Sequence, residues 1–130
     1  LALLLLTTNL FNLLELRPGR VEKAFVALLA GLCLIAWTDA PLTVLGLFVG
    51  PVLAMAPLTL RERAMLGDTG SNLVGALAGV SLLLVLGEGA RLVALAVVAA
   101  LTVYGEFRSI SAAIERIPPL RALDSLGRVR

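Results

Sequence analysis

The stretch "APLTVLGLFVGPVLAMAPLTL" (Ala40–Leu60) runs for 21 residues without one Asp, Glu, Lys or Arg. At about 1.5 Å of rise per residue, a helix of about 20 apolar residues crosses a hydrocarbon core roughly 30 Å thick. In lipid a helix satisfies its own backbone hydrogen bonds, which no open strand can do. The stretch therefore reads as a transmembrane helix. The rest of the chain agrees. Of its 130 residues, 59% are hydrophobic and only 15% charged, and the mean hydropathy is +1.00. A water-soluble domain of this size needs more polar surface than that.

Working outward, a second uncharged run covers Thr69–Gly87, and shorter ones cover Leu1–Leu14, Ala24–Thr38 and Leu92–Gly105. The expected fold class is an all-α polytopic membrane helix bundle. Five spans are expected, at about 1–14, 21–38, 41–60, 70–87 and 90–107. The bundle then covers 1–107, and 108–130 forms a short amphipathic tail. The first run carries no basic segment before it, which argues against a signal peptide. It starts without Met, so it reads as a chain entered inside a helix.

Charge placement gives an orientation. With the first span ending in the cytoplasm, the loops on that side hold Arg17, Arg20, Lys23, Arg61, Arg63, Arg108, Arg116, Arg121, Arg128 and Arg130. Arg91 alone of the basic residues falls outside them. This is the asymmetry of the positive-inside rule. The net charge of +2 is spread over three loops, with no basic run and no interleaved aromatics, so nucleic acid is not an expected partner. The expected location is a membrane crossed several times, with the C-terminus cytoplasmic.

Several residues carry packing readings. Cys33 is a lone mid-span thiol. Trp37 and Tyr104 sit near span ends, where aromatic rings favour the interface. Gly46, Gly50 and Pro51 are expected to let one helix bend or pack closely. Gly75 and Gly79 form a small-xxx-small face suited to helix packing. In the tail, Ile110, Ile114 and Ile117, then Leu120, Leu123 and Leu126, recur at helical spacing on either side of a Pro pair. They suggest two short helices lying on the membrane surface.

Two polar clusters remain, and the expected topology puts both on one face. In "TTNLFNLLELRPGR" (Thr7–Arg20), Asn9 and Asn12 are three apart and share a helix side, which Glu15 continues. In "MLGDTGSNLVG" (Met65–Gly75), Gly67 and Gly70 allow close backbone approach. Asp68, Thr69 and Ser71 are all N-cap residue types for the helix that starts there. The amides of such a helix start attract an anion such as phosphate. A carboxylate beside a phosphate repels it unless a cation lies between, and Mg²⁺ bridges one or two carboxylates to phosphate oxygens. Asp68 is accordingly the candidate metal ligand, and the bland alternative is a capping Asp.

Together these clusters resemble the glycosyltransferase 4 family of polyprenyl-phosphate sugar-1-phosphate transferases. One family motif reads roughly N-x-x-N-x-x-D-G-L-D-G, another F-M-G-D-x-G-S-x-x-x-G. Asn9, Asn12 and Glu15 fall on the first, and Gly67, Asp68, Gly70, Ser71 and Gly75 on the second. The resemblance spans nearly the whole chain, as the C-terminal half of a longer protein. It implies Mg²⁺-dependent transfer of a sugar-1-phosphate from a UDP-sugar to polyprenyl phosphate in the bacterial cytoplasmic membrane, as part of cell-envelope glycan synthesis. By the same resemblance Asp68 binds metal. Asp68 and Glu15 are the catalytic candidates, and Asn9, Asn12, Thr69, Gly70, Ser71 and Asn72 the substrate-binding ones. A homodimer is also open. The departures are specific. Glu15 stands for an Asp, and Leu16-Arg17-Pro18-Gly19 for G-L-D-G. Met65 takes the place of an aromatic, and there is no His for the family's late motif. They leave a second reading, a non-catalytic homologue that binds polyprenyl phosphate or nucleotide-sugar. A transporter subunit fits less well, because the charges lie at span ends rather than at mid-membrane.

Overall fold

The computed structural model describes residues 1–108 and 110–126. Ser109 and the end of the expected tail, including Arg128 and Arg130, lie outside the described residues. The described residues form helices throughout: α1 (Ala2–Leu14), α2 (Arg20–Ala36), α3 (Ala40–Leu60), α4 (Gly67–Val85), α5 (Glu88–Phe107), α6 (Ile110–Arg116) and α7 (Pro118–Ser125). All five expected spans correspond to helices within a few residues. Three of them, α3, α4 and α5, are long and apolar enough to cross a membrane. The other two fall short on length or polarity. α1 has 13 residues, about 20 Å of rise, and α2 carries Arg20, Glu22 and Lys23 in its first turn.

Local chemistry explains the breaks. α1 stops at Glu15, and the turn that follows contains Pro18, which has no amide to donate. Gly19 then takes a left-handed φ of 75°, and a Cβ there would lie 3.1 Å from the Leu60 side chain. Only glycine meets both demands. The turn thereby seats itself against the end of α3. α3 opens with Pro41 in its first turn, where a missing amide costs nothing. Pro51 and Pro57 lie inside it without ending it.

α4 is the central helix. It packs against α1, α2 and α3, and α1 in turn packs against α5. The close α1–α4 approach depends on two glycines. A Cβ at Gly75 would lie 2.7 Å from Thr8 Cα, and one at Gly79 would lie 3.0 Å from Leu4 Cα. The small-xxx-small expectation thus holds. For Gly46 and Gly50 the close-packing branch of the expectation finds no partner among the described residues, since nothing lies within 4 Å of a Cβ at either. Phe11, Val21, Phe25, Val49, Val74 and Leu77 form part of the main core, and Leu3, Leu32, Leu82 and Val98 a second cluster. The outer faces stay apolar and exposed, as at Leu47, Phe48, Val93 and Val97. Such faces suit lipid rather than water.

Candidate functional site at the end of the α1–α4 pair

The end of α1 and the start of α4 meet, although they are distant in sequence. Among the described residues two side-chain hydrogen bonds join them. The Gly67 amide donates to Glu15 Oε1 at 3.0 Å, and Ser71 Oγ lies 3.0 Å from Asn12 Oδ1, to which it donates. Ser71 Oγ is also 3.1 Å from the Asp68 carbonyl, so one hydroxyl proton serves two acceptors. Ser71 is fully buried and Glu15 is 6% exposed. Asn12 and Gly70 are half-buried, while Asp68, Thr69 and Asn72 are exposed. Gly70 lies tight on Leu66, whose Cβ would be 2.9 Å from any Cβ placed there. Asn9 turns elsewhere: its Nδ2 donates to Glu106 Oε1 on α5 at 3.2 Å.

The capping reading of this segment is corrected. α4 begins at Gly67, with Leu66 at the cap and no side-chain cap hydrogen bond. Asp68 and Thr69 therefore sit within the first turn and Ser71 opens the second, and none of them caps the helix. Gly67 adopts φ 67°, which turns its amide toward Glu15, and the cap is supplied from the other helix. This shift matters for Asp68. Its exposed carboxylate, in the first turn of the helix, is not committed to a backbone amide. It is available to a cation. It also changes the anion reading, because the Gly67 amide is taken by Glu15 rather than left for phosphate.

Glu15 holds its proton more tightly than an ordinary carboxylate. Burial raises its pKa above the usual 4.5. The Gly67 and Leu66 amides pull the other way, and the nearby negative charges of Glu22 and Asp68 add to the rise. Among the described residues no three acidic, Cys or His side chains converge as a complete metal-ligand set. A metal at Asp68 would need water or phosphate oxygens for the rest of its shell, as Mg²⁺ commonly does.

Some polar residues near the site gave no signal in sequence. Arg20 makes a bidentate pair with Asp124 of α7, Nε–Oδ1 at 2.9 Å and Nη2–Oδ2 at 3.2 Å, with the two residues only 5% and 9% exposed. Arg20 Nη1 also donates to Ser111 Oγ at 3.1 Å, and Lys23 Nζ donates to the Asp124 carbonyl at 2.7 Å. Arg17 pairs with Glu115 on α6 at 3.0 Å. The tail is thus held to the α1–α2 turn through its acids. Glu106, which holds Asn9, and Glu22, buried at 2% exposure, were also missed. The first-turn position of Glu22 beside Arg20 and Lys23 reads as ordinary helix-surface charge. Its burial comes from tertiary packing that the spacing does not encode.

No family model matches the chain, and neither a curated protein nor a solved structure matches it either.

Proposed function

We propose that this chain is part of a bacterial membrane transferase that moves a sugar-1-phosphate from a UDP-sugar to polyprenyl phosphate. The observation that supports it best is the meeting of two polar motifs through Glu15–Gly67 and Asn12–Ser71, pairs 52 and 59 residues apart. The resemblance in those motifs supplies the reaction class. In it a phosphate oxygen of the lipid forms a bond to the β-phosphorus of the UDP-sugar. The bond from that phosphorus to the bridging oxygen breaks, and UMP leaves with the oxygen. In this reading the three helices long and apolar enough, α3, α4 and α5, cross the bacterial cytoplasmic membrane, and the site and the C-terminus lie at its cytoplasmic face.

Asp68 is the residue to hold Mg²⁺, since it is exposed and caps no amide. When bound, the ion neutralises the diphosphate and lowers the repulsion between two phosphorylated substrates. The protein's own groups do the positioning. Ser71 fixes the Asn12 amide, and Glu15 fixes the start of α4 and so the direction of Asp68. Thr69 and Asn72 are exposed on the first turns of α4, where they can reach a head group.

A second reading has its own observation. Glu15 occupies the helix-start amide that a phosphate would otherwise take. That favours a homologue which binds polyprenyl phosphate or nucleotide-sugar without turning it over. The two are separated by giving the full-length protein in vesicles Mg²⁺, polyprenyl phosphate and a panel of UDP-sugars. Lipid-dependent release of UMP supports the transferase. Saturable binding of a UDP-sugar with no release of UMP supports the second reading.

A further inference from the structure

Asp124 is the buried residue of α7, and it decides how that helix is turned. Its carboxylate accepts from both Nε and Nη2 of Arg20, and its carbonyl accepts from Lys23 Nζ. A bidentate pair on a planar guanidinium fixes orientation as well as distance. α7 is thereby held with its Asp124 side toward α2. Periodicity alone leaves such a helix free to roll, and the pair removes that freedom. Successive residues of a helix turn by about 100°. Leu120 and Leu123 therefore lie on one flank of Asp124, and Arg121 and Ser125 on the other.

The two flanks meet different surroundings. Arg121 and Ser125 line a polar cleft with Arg17 and Glu115. Leu123 lines a groove with Val26 and Ala30 of α2 and Leu60 of α3, apolar but for Glu22 and Lys23. Leu120 and Leu123 are each still 43% exposed, although Asp124 between the flanks is buried. A helix docked from water would turn its leucines inward before its acid. The groove says what covers them. α3 is long and apolar enough to cross a membrane, and Leu60 is its last residue. Hydrocarbon that coats α3 reaches its edge near Leu60, and Leu123 stands in the same groove. An apolar flank beside that edge and a polar flank turned from it is the arrangement of a helix lying in the membrane interface.

We propose that α7 is an interfacial helix whose leucine flank enters the phospholipid leaflet at the polar end of the bundle, beside the α2–α3 groove. The partner is the acyl-chain edge of a phospholipid bilayer. Lipid and the Arg20–Asp124 pair then hold the tail jointly, so its seat against the α1–α2 turn depends on the membrane. The proposal requires α3 to cross the bilayer and does not depend on the transferase reading.

The test is nitroxide labelling of the full-length protein in phospholipid vesicles, with Cys33→Ala and any other thiol removed. Single labels are placed at Leu120→Cys and Leu123→Cys on one flank, and at Arg121→Cys and Ser125→Cys on the other. Electron paramagnetic resonance compares collisions with oxygen, which concentrates in hydrocarbon, and with a water-soluble nickel chelate. Oxygen should dominate at both leucine positions and the chelate at the other two, so that the ratio reverses between the flanks. A label that unseats α7 is recognised by faster amide exchange over Pro118–Ser125, and the second position on the same flank then decides. Dominance of the chelate at the leucine positions overturns the proposal, because the flank then lies in water. Low access of both reagents there also overturns it, because a second copy or another protein segment then covers the flank. A failed UMP-release assay beside a reversed ratio counts against the transferase and not against this helix.

Discussion

Glu15 is where the chemistry of single residues is most exposed. It caps another helix, lies buried, and faces two further acids. Its raised pKa carries a definite sign. Between 4.5 and the higher folded value, the folded state holds a proton that the unfolded state has released. The stabilisation this group provides is therefore complete below pH 4.5 and is lost as pH rises through the folded value. In chelator, the melting temperature of the wild type should fall over that window, and Glu15→Gln should flatten this part of the curve. Ser71 offers a second check. Its hydroxyl is buried and bridges Asn12 to the Asp68 carbonyl, so Ser71→Ala should cost about 1–3 kcal/mol in denaturant unfolding. Little of this was legible beforehand. The residue types around Asp68 all suit an N-cap, and spacing could not show that a carboxylate from another helix takes the role. Glu22 was invisible for a related reason: a first-turn acid is usually solvated, and here tertiary packing buries it.

The elements themselves were far easier to read. Long uncharged runs locate helices because lipid tolerates few alternatives, and every expected span has its helix. What the runs do not encode is which helix touches which. Glycine spacing shows this well. Gly75 and Gly79 in α4, and Gly46 and Gly50 in α3, have the same four-residue separation, yet the first pair meets α1 and the second meets nothing. The difference is measurable. Gly75→Ala should drive a methyl into Thr8 and destabilise the bundle by about 1–3 kcal/mol or more. Gly46→Ala should be neutral, or stabilising by up to about 1 kcal/mol through helix propensity. The two variants in one detergent denaturation series separate contact from composition.

Across the whole molecule, long-range polar contacts gather at one end of the bundle. Asn12–Ser71, Glu15–Gly67, Arg20–Asp124 and Asn9–Glu106 each join segments at least 50 residues apart. The tail belongs to this assembly, which its spacing alone did not reveal: periodicity showed two amphipathic pieces, but not the acid that anchors them. Asp124→Ala strips a buried guanidinium of its bidentate partner. It should release α7, seen as faster amide exchange over Pro118–Ser125, at a cost of about 3–5 kcal/mol to the docked state. The proposed transferase makes this end of the bundle a working phosphate site organised around Asp68. It is tested most directly by UMP release from a UDP-sugar, with full-length protein, Mg²⁺ and polyprenyl phosphate in vesicles, wild type against Asp68→Asn. The wild type should release UMP in a lipid-dependent way, and Asp68→Asn should lose at least about a hundredfold, the scale of about 3 kcal/mol in the barrier. Unchanged release and unchanged Mg²⁺ dependence in Asp68→Asn would contradict it.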